Sequence, residues 1–125
     1  MMEIINTNNA PAPIGPYSQA TVAGNFVFVS GQIPLNPATG ELVTSGIKDE
    51  AVLVMENIKA ILTEAGIGFA NVVKTSIFLT DLGNFGQVNE VYGTYFTANF
   101  PARETVQVSA LPKGVNVEIS VIAVK

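Results

Sequence analysis

The chain has 125 residues, a net charge of −4, 13% charged residues and 48% hydrophobic residues. It contains neither histidine nor cysteine, which excludes disulfides, thiol nucleophiles, histidine bases and the usual zinc sites. One arginine, five scattered lysines and an acidic pI also argue against a nucleic-acid binder.

The length suits one domain spanning residues 1–125. No stretch approaches the ~18 consecutive apolar residues that a membrane span needs. The first residues, MMEIINTNNAPAP, lack the basic start and apolar core of a signal peptide. We therefore expect a cytoplasmic protein with no membrane partner.

The N-terminal half predicts two strands followed by a helix. Residues 17–22 and 26–30 are typical of strands, with a hairpin turn at 23–25. A proline-containing loop leads to a helix over 48–65, for which Gly66 is the predicted C-terminal cap. Asp49 and Glu50 favour the N-terminal end of this helix. Its apolar stripe consists of Val54, Ile58, Ile61, Leu62 and Ala65.

The C-terminal half predicts a strand over 71–80, a second helix and two final strands. Asn84 is expected to cap the second helix, which would extend to about residue 98 with Phe85, Val88, Tyr92 and Phe96 on one face. The strands over 105–110 and 116–124 are expected to form a hairpin through a turn at 111–114.

The resulting order β-β-α-β-α-β-β indicates an α+β fold: a mixed sheet with two helices on one face. The two strands that flank the second helix should be parallel, through a right-handed crossover. Several strands carry apolar residues at both parities, so the second sheet face is expected to be buried against other copies of the chain.

Three polar residues do not fit an apolar core. Arg103 begins the polar face of its strand, and its guanidinium matches a carboxylate; the alternative is an ion pair with a neighbouring glutamate. Glu118 interrupts an apolar strand, where the alternative is an exposed or interface carboxylate. Asn89 lies on the apolar stripe of the second helix, where a structural hydrogen bond is the alternative.

Several motifs, in order along the chain, resemble the RidA/YjgF family of reactive-intermediate deaminases. The motifs are GPYSQA (15–20), VSGQIP (29–34), NIKAILTEAG (57–66), VVKTSIFLTD (72–81), FPAR (100–103), LPKG (111–114) and VEI (117–119). The resemblance implies a chorismate mutase-like subunit in a homotrimer, with the sheets packed into a central barrel and three clefts between subunits. It also implies hydrolysis of enamines and imines, notably 2-aminoacrylate and 2-aminocrotonate, to 2-oxo acids and ammonia.

The same resemblance implies a role for each site residue. Arg103 would bind the substrate carboxylate, Glu118 would activate water, and Tyr17 would help to transfer a proton. The substrate-binding positions would be Ser30, Gly31, Asn89 and Thr105. Neither a metal nor a cofactor is expected, because an imine is already activated.

Two positions depart from the family pattern. Thr105 stands where members often have cysteine, and Glu104 stands where a small residue is usual. Strand alternation should point Glu104 away from the face of Arg103. Two other functions remain open: a non-catalytic protein that binds 2-oxo acids, which would need Arg103 but not Glu118, and a ribonuclease or translation inhibitor.

Overall fold

A computed structural model describes residues 2–125, in which a mixed sheet of six strands is covered on one face by two helices. The helices are α1 (Ile47–Glu64) and α2 (Phe85–Gly93). The strands are β1 (Glu3–Ile5), β2 (Ala20–Ala23), β3 (Phe26–Gln32), β4 (Val72–Leu79), β5 (Ala102–Gln107) and β6 (Val117–Val124). Their order across the sheet is β1-β2-β3-β6-β4-β5.

The sheet confirms the α+β class, the first hairpin and the parallel pair. β2 and β3 are antiparallel, with Gly24 at a φ of 59° in the turn between them. β4 and β5 flank α2 and are parallel. The short strand β1, which pairs with β2, was not predicted.

The predicted hairpin between the last two strands is wrong, because β4 lies between β5 and β6. β6 buries every second side chain, so it gains most from a central position under the helices. None of the residues of β5 is fully buried, and its polar sequence ARETVQ suits an edge strand.

Helix α1 packs several large side chains into the core between itself and the sheet. The side chains of Met55, Ile58, Ile61 and Leu62 are fully buried. The predicted cap is confirmed: Gly66 has a φ of 80°, and its N–H donates to the Thr63 carbonyl while the Ile67 N–H donates to the Leu62 carbonyl. This pair of bonds is a Schellman motif.

Helix α2 is shorter than predicted and begins differently. Asn84 makes no side-chain capping bond; instead the Asp81 carboxylate accepts from the Gly83 N–H at 2.8 Å, before a 3-10 turn that leads into the helix. The helix ends at Gly93. The hydroxyl of the next residue, Thr94, donates a hydrogen bond to the Val91 carbonyl at 2.6 Å and so competes with the backbone bonds of the helix. Phe85, predicted on the apolar face, is 39% exposed.

The sheet face away from the helices remains open in a single chain. Phe26, Phe28 and Val106 are 48%, 43% and 40% exposed there. Such a patch is typical of a protein–protein interface. Burial of this face against other copies stays a prediction. Within residues 2–125, neither helix has both the length and the apolar character to cross a membrane.

Candidate active site

Glu118 lies beside an irregularity in β3 that brings the backbone close to its side chain. Val29 pairs with Val121 and Gln32 pairs with Ile119, so three steps along β3 match two along β6. The extra residue makes a bulge at Ser30 and Gly31. A Cβ atom at residue 31 would lie only 2.8 Å from Cδ of Glu118, so only glycine leaves room for the carboxylate here.

The bulge also holds the loop that carries Tyr17. The Ser30 hydroxyl donates to the Ser18 carbonyl at 2.6 Å, and the Ser30 N–H donates to the Gln19 carbonyl at 2.9 Å. The side chain of Gln19, 2% exposed, accepts from the Thr7 N–H at 2.7 Å and donates to three carbonyls of the N-terminal segment. Tyr17 itself is exposed at the end of this loop.

The side chain of Glu118, the bulge and Tyr17 line one cavity of about 560 Å³. Its polar lining comes from Tyr17, Gln19, Ser30, Gly31, Gln32, Lys113 and Glu118, and its apolar lining from Pro11, Ala12, Ile14, Ile33, Leu35 and Pro112. Burial raises the pKa of Glu118 above the usual value for a glutamate. A carboxylate with a raised pKa is a better proton acceptor than an ordinary one.

Arg103 belongs to a second cluster, next to α2. Its Nη1 donates to Oδ1 of Asn89 at 2.8 Å, and its guanidinium carbon lies 5.0 Å from the ring centre of Tyr92 and 5.5 Å from that of Phe85. No carboxylate of residues 2–125 pairs with Arg103. The alternative interpretation, an ion pair with a glutamate, is therefore wrong within residues 2–125. Of the Arg103 side-chain nitrogens, Nη2 and Nε have no partner among these residues and can bind a ligand.

The residues next to Arg103 complete this cluster. The Thr105 hydroxyl, on the same face of β5, is buried without a hydrogen-bond partner in the part of the chain that the structure describes. An orphaned buried hydroxyl is unusual and calls for a partner. Glu104 points to the opposite face, as expected, where it accepts from Ser76 and pairs with Lys74 at 2.9 Å. The Ser76 hydrogen bond and then Lys74 lower its pKa.

The two clusters lie on opposite faces of the sheet within one chain. Arg103 pairs with the fully buried Thr75 on the helix side, whereas Glu118 pairs with Phe78 on the open side. At about 4.8 Å per strand and 3.3 Å per residue, their backbones are roughly 10 Å apart in each direction of the sheet. One chain therefore brings Tyr17, Ser30, Gly31 and Glu118 together, and places Asn89, Arg103 and Thr105 elsewhere.

Two residues of the Glu118 cavity were not named as site residues from the sequence: Lys113 and Gln19. Lys113 lines the Glu118 cavity from a backbone φ of 58°, in the left-handed region that few side chains adopt. Gln19 clamps the loop of Tyr17 through four hydrogen bonds. Gln19 belongs to the GPYSQA motif, but the sequence alone does not show that its side chain bonds to the N-terminal segment.

The fold and the two clusters define an α+β protein whose candidate site is built from a carboxylate and a guanidinium, with no cluster of metal-ligating side chains in residues 2–125. The chain belongs to the family described as Endoribonuclease L-PSP, whose sequence model matches residues 7–125. The predicted RidA/YjgF membership is thereby confirmed.

The chain matches known proteins over nearly its full length. The chain is 54% identical to a RutC family protein of Pyrococcus horikoshii over 125 residues, covering 100% of this chain and 99% of that one. It is 50% identical over 123 residues to the 2-iminobutanoate/2-iminopropanoate deaminase of Rattus norvegicus, covering 98% and 90%. A solved structure of YyfA, a Rid family protein of Yersinia pestis, superposes with a TM-score of 0.98 at 50% identity and covers 100% of both chains.

Proposed function

We propose that this protein is a deaminase that hydrolyses 2-imino acids, such as 2-iminobutanoate and 2-iminopropanoate and their enamine tautomers, to 2-oxo acids and ammonia. The relative named for this activity is 50% identical over 98% of this chain. The observation that carries the proposal is a guanidinium that pairs with no carboxylate of residues 2–125, next to a buried hydroxyl without a partner among those residues, in a chain that also holds a partly buried carboxylate.

The chemistry follows from these groups. A 2-imino acid has a planar carboxylate, which Arg103 can bind through its free edge. Glu118 accepts a proton from water as the water oxygen bonds to the imine carbon. The addition gives a carbinolamine, whose nitrogen is protonated. Its C–N bond then breaks as the hydroxyl loses its proton and the C=O bond forms, which releases ammonia and the 2-oxo acid. Tyr17 is suited to pass the proton to the nitrogen.

The separation of the two clusters supports a site that is shared between copies. One water must reach both the imine carbon and Glu118, while Arg103 holds the carboxylate that is bonded directly to this carbon. Groups on opposite sheet faces cannot do this, so the proposal requires Arg103, Asn89 and Thr105 from one copy and the Glu118 cavity from a neighbour. The assembly implied by the family resemblance is a homotrimer with the open sheet faces inside.

The assembly is tested by sedimentation at micromolar concentration. We expect a single species with the mass of three 13.1 kDa subunits. A stable monomer would remove the shared site. The cytoplasmic location expected from the sequence also stays a prediction, which fractionation of cells that express the tagged full chain would check.

The activity is tested with 2-aminoacrylate released by a serine dehydratase, following pyruvate beyond the spontaneous rate. Glu118→Gln keeps the shape of the side chain but removes the base. We expect it to lower turnover by about 10²–10⁴-fold, the usual contribution of a general base. Affinity for a 2-oxo acid should change little, because the partner of Glu118 is the water. Wild-type protein that binds 2-oxo acids but never exceeds the spontaneous rate would favour the metabolite-binding alternative instead.

A further inference from the structure

A buried carboxylate outside the candidate site has no part in the chemistry described above. Glu50 is in the first turn of α1 and is 2% exposed. Its Oε1 accepts from the Asn116 backbone N–H at 3.1 Å, and its Oε2 accepts from the Asn116 side-chain amide at 2.8 Å. Both carboxylate oxygens are therefore directed at one residue, 66 positions away in the sequence.

Asn116 occupies a junction of three elements. It immediately precedes β6, and its carbonyl accepts from the N–H of Thr80, the residue after β4, at 3.3 Å. Its side-chain oxygen also lies 3.3 Å from the Thr80 hydroxyl. Through Asn116, Glu50 connects the start of α1 with the end of β4 and the beginning of β6.

The junction adjoins two walls of the Glu118 cavity. Glu118 is two residues after Asn116, about 7 Å along the strand. Pro112 and Lys113, which line the same cavity, come shortly before it. On the opposite side of Glu118, the bulge at Gly31 leaves no free space, since even one added carbon atom would collide with the Glu118 side chain. A shift at the start of β6 therefore moves Glu118 directly.

We propose that Glu50 is a positioning residue for Glu118: its paired bonds to Asn116 fix the start of β6, and so hold the water-activating carboxylate against the bulge at Gly31. This inference rests on the proposed function. A carboxylate is a costly group to bury, because it loses its hydration. What it offers over an apolar side chain is two directional acceptors, which set position rather than merely fill space.

The test exchanges the two partners. With the Asn116 side chain as it stands, Glu50→Gln places an amide NH₂ opposite its NH₂, so one of the two bonds is lost. A half-turn of the Asn116 amide would restore this bond only by moving its oxygen away from the Thr80 hydroxyl. Asn116→Asp alone places two carboxylates together and should also be impaired. The double variant Glu50→Gln/Asn116→Asp restores a donor–acceptor pair and the net charge. Asp49→Asn is the matched control, since Asp49 is the exposed neighbouring carboxylate and bonds only to Ser45 at 2.8 Å.

Turnover of 2-aminoacrylate, affinity for pyruvate by calorimetry, and sedimentation are measured on each intact variant. We expect Glu50→Gln to lower turnover by about 10- to 100-fold, since a misplacement of about 1 Å can cost about 100-fold. Pyruvate affinity and assembly should stay near those of the wild type. The double variant should regain most of the turnover, and Asp49→Asn should match the wild type.

Either of two results would overturn the inference: full turnover in Glu50→Gln, or a double variant as inactive as the two single variants, which would make Glu50 a general stability element. These results are distinct from a failure of the proposed function, which would appear as wild-type protein without any hydrolysis above the spontaneous rate.

Discussion

Gly31→Ala separates the placement of Glu118 from the stability of the fold. The backbone at residue 31 is not in the left-handed region, so alanine meets no conformational strain there. The added Cβ atom would lie 2.8 Å from Cδ and 3.1 Å from Cγ of Glu118, and closer still to Oε2. These atoms belong to the end of a flexible side chain. The carboxylate should therefore move while the bulge stays in place.

The size of the movement follows from the contact distances. Carbon atoms in contact prefer separations of about 3.5–4.0 Å, so Cδ must shift by roughly 1 Å from its present 2.8 Å. A displacement of about 1 Å in a reacting group can reduce the rate by about 100-fold. We therefore expect Gly31→Ala to lose about two decades of imine hydrolysis.

The assay follows pyruvate from enzymatically generated 2-aminoacrylate, beside thermal unfolding and sedimentation of the same sample. Affinity for pyruvate should fall less than turnover, because Arg103, which binds the carboxylate, belongs to the other cluster of residues. Gly31→Ala with wild-type turnover would refute the claim that hydrolysis depends on the exact placement of Glu118 beside the bulge. A larger side chain such as Gly31→Val should be at least as impaired.

Four further predictions concern Arg103, Glu118 and Leu62. Arg103→Ala removes the group that binds the substrate carboxylate. A loss of about 2–5 kcal/mol of binding free energy implies a roughly 30-fold or greater fall in hydrolysis, and pyruvate affinity should fall too. Activity equal to that of the wild type would exclude the mechanism. Because burial raises the pKa of Glu118 above 4.5, activity should fall on acidification at a higher pH than for an ordinary carboxyl. For the same reason Glu118→Gln should stabilise the fold at neutral pH. This gain should disappear below pH 4.5, where Glu118 is protonated in both the folded and the unfolded protein. Leu62→Ala, at a fully buried position of α1, should lower the free energy of unfolding by about 2–5 kcal/mol in denaturant titrations, whereas a change below 1 kcal/mol would contradict its place in the core.

Local sequence signals predicted the elements well where the element depends on its own residues. The stripe of α1 and the glycine after it define that helix from start to end. The carboxylate of Glu118 in an apolar strand likewise marked a functional position, whereas Ser30 and Gly31 were indicated only by the family resemblance.

The errors come from contacts between distant residues. The LPKG turn favours a hairpin between β5 and β6. Instead β4, about 40 residues before β6, lies beside it and pairs with it at seven positions, four of which have buried side chains in β4. Glu50 was interpreted as a helix-end charge, whereas its partner is Asn116 in another part of the chain. Nor does local periodicity show that Arg103 and Glu118 are on opposite faces, because this depends on the order of strands across the sheet.

The most direct test of the account mixes two inactive variants. Arg103→Ala and Glu118→Gln subunits are unfolded together and reassembled, and imine hydrolysis is compared with that of each variant alone. If the site takes Arg103 from one copy and Glu118 from its neighbour, random assembly through head-to-tail interfaces leaves roughly one site in four with both native groups. The account predicts that the mixture regains about that share of wild-type activity. A mixture no more active than its two components, with assembly intact, would contradict it.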